Sequence, residues 1–212
     1  MTTTLYYSPG ACSLAVHILL EEIGAPFSLA LVSTSDGSTR KPEHLRLNPK
    51  GRVPVLVQGD TVYTEVPAIM LHLALSNPHT DIQPQTHEGL IRTLEWFNWL
   101  SGTVHGAAVR QIWRTEWFTT EPTAHQGIQA KGREHLLAAF ALIESRLQQS
   151  HWAVEDRYGV VDAFLLVFYR WGGHRMGLDV QNHYPAWTAH TRRVLARPAV
   201  QRALATEAIS VW

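Results

Sequence analysis

The chain has 212 residues, 45% of them hydrophobic and 17% charged, a balance that excludes disordered, collagen-like and low-complexity classes. Lys+Arg and Asp+Glu each total 18, so the formal charge is zero and the basic excess of a nucleic-acid binder is missing. The single cysteine, Cys12, excludes an internal disulfide and a cysteine-built zinc or iron–sulfur centre.

Met-Thr-Thr-Thr-Leu-Tyr-Tyr carries neither the basic start nor the apolar region of a secretory signal. The longest nearly apolar run, Val160 to Tyr169, contains Asp162 and is too short to span a bilayer. The expectation is a soluble, cytoplasmic protein. The twelve histidines lack metal-ligand spacing, with no HxxxH or HExxH, so no metal site is expected.

In chain order, Thr4-Leu5-Tyr6-Tyr7 is a β-prone run stopped by Ser8-Pro9-Gly10. Leu14, Ile18, Leu19 and Ile23 then lie on one helical face that ends at Gly24. Phe27 to Val32 predicts a second strand, and the polar segment after it a loop with a short helix at Glu43 to Leu47. Val53 to Val57 and Thr61 to Thr64, joined through Gly59-Asp60, predict a hairpin, and Glu65 to Leu75 a helix. Asn77 to Thr86, bracketing Pro78 and Pro84, predicts an interdomain linker. Beyond it strand signals vanish. Helices are expected at Glu88–Arg114, Ala124–Gln149, Val160–Trp171, Pro185–Leu195 and Pro198–Glu207. A small α/β domain is therefore followed by an all-helical one.

Three places could carry chemistry. Cys12 sits at the start of the first helix, where unpaired N–H groups and the helix dipole favour an anion and would lower a thiol pKa. A buried, inert cysteine is the other reading, and Tyr6, Tyr7, Ser8 and Ser13 are hydroxyls that could serve the same helix end. Val53-Pro54 either opens an ordinary strand or holds a cis bond that presents the Val53 backbone to an extended peptide. Thr64-Glu65-Val66-Pro67 opens a helix whose N–H groups suit a carboxylate, while Glu65 suits an ammonium or simply complements the helix dipole.

Taken together, Tyr7-Ser8-Pro9-Gly10-Ala11-Cys12-Ser13-Leu14-Ala15, Asn48-Pro49-Lys50-Gly51-Arg52-Val53-Pro54 and Thr64-Glu65-Val66-Pro67-Ala68-Ile69 resemble the N-terminal motifs of bacterial glutathione S-transferases, most like the beta class. The resemblance covers the whole chain. It implies a thioredoxin-like glutathione-binding domain at residues 1–81 and an all-helical domain at 87–212 that lines a hydrophobic-substrate site. It implies Cys12 against the glutathione sulfur and able to form a mixed disulfide with it. It further implies Val53 before a cis Pro54 pairing with the cysteinyl backbone, Glu65 and the Val66 N–H holding the γ-glutamyl end, and Arg52 reaching a glutathione carboxylate.

Glu95-Trp96-Phe97-Asn98-Trp99-Leu100 and His105 resemble the family's active-site helix, with His105 near the sulfur. The lysine common at the next position is replaced by Gly106. Trp171 matches a position walling the hydrophobic pocket, and Trp113 and Trp117 are further wall candidates, or else core aromatics at helical spacing. Gly159-Val160-Val161-Asp162 keeps the aspartate of a capping box without the usual hydroxyl, a folding element. The implied function is conjugation of glutathione, as co-substrate and with no other cofactor, to small hydrophobic electrophiles by a homodimer. A glutathione-dependent reductase, dehalogenase or isomerase, or a non-catalytic binding module, are the alternatives.

Overall fold

The computed structural model describes residues 2–212. Four strands form one mixed sheet in the order β2-β1-β3-β4, with β1 at Thr3–Tyr7, β2 at Ser28–Leu31, β3 at Val55–Gln58 and β4 at Thr61–Thr64. β1 pairs in parallel with β2, Leu5 opposite Leu29, and antiparallel with β3, Leu5 opposite Leu56. β3 and β4 make the expected antiparallel hairpin, with Val57 opposite Val62. The alternation of β1 turns Leu5 into the core, where Leu5 and Leu56 are fully buried.

Helix α1 (Ser13–Ile23) crosses from β1 to β2, and its residues from Ser13 to Leu20 are all buried. It is wedged between the sheet domain's α3 (Val66–Ser76) and the helical domain, so both of its faces need apolar side chains. Gly24 ends it at φ 70°, a left-handed residue whose N–H closes on the Leu20 carbonyl, as its position in the sequence predicts. The short helix α2 (Pro42–Leu47) lies between β2 and β3. The segment between the domains is not featureless, since Pro78–Thr80 makes one 3₁₀ turn.

The single helix expected over Glu88–Arg114 is three segments end to end: α4 (His87–Asn98), a π-helical stretch (Trp99–Val109) and α5 (Arg110–Trp113). No proline interrupts the sequence from α4 to α5, so its helical pattern reads straight through the π segment. Gly106 sits inside it, where an added Cβ would stand 2.9 Å from the Ser101 carbonyl oxygen five residues back.

Helix α6 (His125–Leu147) and helix α7 (Val160–Met176) follow, α7 running five residues beyond Trp171 before Gly177 ends it. A short α8 (Val180–His183), absent from the sequence reading, precedes α9 (Pro185–Leu195) and α10 (Pro198–Thr206).

Buried carboxylates hold the helix starts of this domain. Glu144 accepts the N–H groups of Ala186 and Trp187 at 2.9 Å each. Asp162 caps its own helix through Gly159 N–H at 2.8 Å and also accepts from Ala153 N–H and His190 Nε2. This is the folding role expected of Asp162. The histidine partner lies 28 residues on and leaves no local pattern. The core is continuous across both domains: Leu14, Ile18, Val104, Phe164 and Trp171 belong to one buried cluster. Among the described residues no helix is long and apolar enough to cross a membrane.

Candidate functional site

A cleft enclosing about 430 Å³, measured to its open mouth, lies where the sheet domain meets the π-helical segment. Cys12, Val53, Glu65, Val66, His105 and Arg52 all line it. These six come from four separate stretches of sequence, three of them beside strand ends and the fourth, at His105, on the π-helical segment.

The loop from Ser8 to Cys12 is fixed from both domains. Gly10, at φ 65°, donates its N–H to Glu207 Oε2 at 2.7 Å, and its carbonyl accepts from the Trp171 indole N–H at 2.9 Å. Glu207 also holds His17 Nδ1 at 2.9 Å. Ser13 closes the same loop by accepting from Ser8 N–H and donating to the Ser8 carbonyl. Tyr6 packs against His44 and Tyr7 against His17. Those hydroxyl-bearing residues therefore build the loop, and none of Tyr6, Tyr7, Ser8 and Ser13 lines the cleft.

Cys12 precedes the first residue of α1 and is 8% exposed. Its thiol donates to the Val53 carbonyl at 3.5 Å. Burial pushes its pKa up from 9.0 to about 12, and the Glu65 carboxylate adds to the rise, against the smaller opposing pull of backbone N–H groups and Arg110. The lowered pKa expected from the helix start is thus corrected. Removing the sulfur from water outweighs the dipole of the first turn. The free protein carries Cys12 as a thiol at neutral pH. The sign is that of a raised acid: its burial stabilises the fold fully below pH 9 and less as pH climbs towards 12.

The Val53–Pro54 bond is cis, the less common of the two readings. The Arg52 carbonyl just before it is held by Asn48 Nδ2 at 2.8 Å and His44 Nε2 at 3.0 Å. Glu65 adopts φ 74°, a left-handed value rare for a residue with a side chain, at the junction of β4 and α3. Its carboxylate meets Lys50 Nζ at 2.5 Å, and Lys50 also donates to Thr64 Oγ1. A cation therefore already sits where the sequence predicts an ammonium, and both partners are half-exposed enough to separate.

His105 is half-buried, its ring 5.0 Å from that of Trp171 and 6.4 Å from Phe168. Burial lowers its pKa from 6.5 to about 4, helped by the charges of Arg110 and Arg52. It is a neutral imidazole at pH 7. Trp171 is 3% exposed and backs the cleft through His105 and the Gly10 loop rather than facing the open space. Trp113 stands one layer farther out, edge-on to Trp171 at 5.1 Å and beneath Arg175 at 4.8 Å. Neither tryptophan lines the cleft in this state.

Arg110 lines the cleft and was not singled out from the sequence. It lies one helical turn beyond Gly106 and puts a cation on the cleft wall. The only sequence signal was its position on that helix, four residues from Gly106. Among the described residues no group of three or more His, Cys, Asp or Glu side chains could hold a metal ion.

Two family models match the chain. Residues 10–75 match the family model for the glutathione S-transferase N-terminal domain, and 111–198 the model for the C-terminal domain. Glutathione S-transferase GstA of Escherichia coli O157:H7 is 31% identical over 209 residues, 97% of this chain and 98% of that protein. Among solved structures, a sphingomonad glutathione S-transferase complexed with glutathione superposes with a TM-score of 0.83 at 31% identity, covering 98% of this chain and all of the other. The bacterial beta class glutathione S-transferase of Sphingomonas chungbukensis gives a TM-score of 0.83 at 30% identity over 98% of this chain and all of that one.

Proposed function

Because the chain belongs to the glutathione S-transferase family, we propose that it conjugates glutathione to small hydrophobic electrophiles in the cytoplasm, as a homodimer. The observation that carries this reading is the convergence of the Val53 backbone, Glu65, Cys12 and His105 on one cleft. Glutathione enters as co-substrate. Its cysteinyl main chain pairs with Val53 in β fashion. Its γ-glutamyl ammonium displaces Lys50 from Glu65, and its γ-glutamyl carboxylate meets the Val66 N–H at the start of α3. The glycine carboxylate lies towards Arg52.

Pairing at Val53 competes for the carbonyl that now accepts the Cys12 thiol. The freed S–H then donates to the glutathione sulfur, and neutral His105 offers a second N–H. Both donors favour a thiolate without bringing a second negative charge beside it. The helical domain holds the electrophile against that thiolate, the aromatic layer of Phe168, Trp171 and Trp113 lying behind His105.

Thiol–disulfide exchange through Cys12 is a second activity of the same site. With a protonated thiol it runs slowly at pH 7 and faster as pH rises towards 12. Cys12→Ala is expected to abolish the mixed disulfide seen by mass spectrometry after incubation with oxidised glutathione. It should leave conjugation of 1-chloro-2,4-dinitrobenzene within about tenfold of the parent, since one S–H donor of two is lost. A glutathione adduct on the variant, or no conjugation by either protein, would sink the respective half of this reading.

A further inference from the structure

Two guanidinium groups stand over one indole ring at the mouth of the cleft. Arg52 stands 5.3 Å from the centre of the Trp117 ring and Arg110 stands 5.2 Å from it. Trp117 is 47% exposed, on the short 3₁₀ turn just past α5. Among the described residues neither guanidinium has a carboxylate within ion-pair distance, although ten other ion pairs are formed, five of them by other arginines at Glu88, Glu95, Asp81, Glu22 and Glu21. The Nε of Arg52 is buried with no partner at all. Arg110 is half-buried, and its charged form is disfavoured by desolvation and by Arg52. In a chain of zero net charge this is a local, unneutralised positive site. An arginine stacked on indole keeps its in-plane N–H fork free, the geometry that meets a carboxylate with two bonds.

One anion is accounted for by the function proposed above: the glycine carboxylate of glutathione, beside Val53 and therefore nearest Arg52. That leaves Arg110, which belongs to the helical wall on which the electrophile lies. We propose that Arg110, held over the Trp117 ring, is an anion-binding residue of the electrophile half of the cleft and selects electrophiles that carry a carboxylate.

This inference rests on the conjugation reading, and it names the substrate class for it: an activated aromatic or alkyl electrophile with an acid group remote from the reacting carbon. In the probe reaction glutathione sulfur attacks the chlorine-bearing carbon of 4-chloro-3,5-dinitrobenzoate. A C–S bond forms, the C–Cl bond breaks, chloride leaves with the electron pair and the thiol proton passes to solvent.

The test compares kcat/KM for 4-chloro-3,5-dinitrobenzoate with that for the neutral 4-chloro-3,5-dinitrobenzamide. It is paired with calorimetric binding of the unreactive 3,5-dinitrobenzoate and 3,5-dinitrobenzamide in the presence of glutathione. The parent protein should prefer the carboxylate in both assays, and Arg110→Gln should lower that preference roughly tenfold, the worth of a charge-assisted hydrogen bond. Arg110→Lys should restore part of it as a point charge. Equal preference in parent and Arg110→Gln overturns the proposal, as does a loss confined to the KM for glutathione. Carboxylate-selective binding without turnover of either electrophile would keep the anion site and defeat the conjugation reading instead.

Discussion

Replacing Asp162 with Ala is expected to lower the thermal midpoint by about 10 °C, which for a chain of this size corresponds to roughly 3–5 kcal/mol. The carboxylate is 1% exposed and is the acceptor for three donors: Gly159 N–H at 2.8 Å, Ala153 N–H at 2.9 Å and His190 Nε2 at 2.7 Å. Its loss leaves each of them without a partner in a site where His190 is fully buried, and an orphaned buried donor costs about 1–3 kcal/mol. Gly159 cannot compensate, because it brings no side-chain oxygen to the cap. Thermal unfolding followed by circular dichroism reads the change. A shift of only one or two degrees would mean that water takes over the role of the carboxylate. The refolded variant should still bind glutathione, because no atom of this cluster lines the cleft.

The second large effect is expected at Glu207, and it should reach activity as well as stability. The side chain is fully buried and joins the two domains, holding Gly10 N–H at 2.7 Å and His17 Nδ1 at 2.9 Å. Glu207→Ala should cost about 2–4 kcal/mol, since two buried donors lose their acceptor. By contrast, replacing Glu88, whose pair with Arg92 is exposed at 69% and 55%, should cost less than about 1 kcal/mol.

Because Gly10 is two residues from Cys12, loosening it frees the loop that sets the thiol against Val53. Hydrogen exchange over Ser8 to Cys12 should quicken, and kcat for conjugation should fall about tenfold or more, as a misplaced reacting group generally costs. Unchanged exchange in that loop with full stability would show that Trp171, through the Gly10 carbonyl, suffices alone.

These two residues also mark where the sequence stops being readable. Local features were legible. The Gly24 helix end, the hairpin through Gly59 and Asp60 and the start of α9 at Pro185 each depend on neighbours a few positions away. The resemblance placed Cys12, Val53, Glu65 and His105 on the residues that line the cleft.

What could not be read is long-range pairing. Glu207 meets Gly10 across 197 residues, and a glutamate at the end of an amphipathic helix looks like any surface carboxylate until the fold buries it. Arg110 is hidden for a related reason: only the π-helical turn and its place over the Trp117 ring make it part of a site. For Cys12 the helix start is visible in the sequence whereas desolvation is not, and here desolvation is the larger effect.

Conjugation requires the cleft to hold glutathione with its γ-glutamyl ammonium on Glu65. Calorimetric titration of reduced glutathione into the parent protein and into Glu65→Gln tests this most directly. The substitution keeps the shape of the side chain beside Lys50 and removes its charge. Saturable binding by the parent, weakened about tenfold or more in the variant, is the predicted result for the loss of a charge-assisted anchor. Equal affinity in the two proteins, or no binding by the parent, would contradict it.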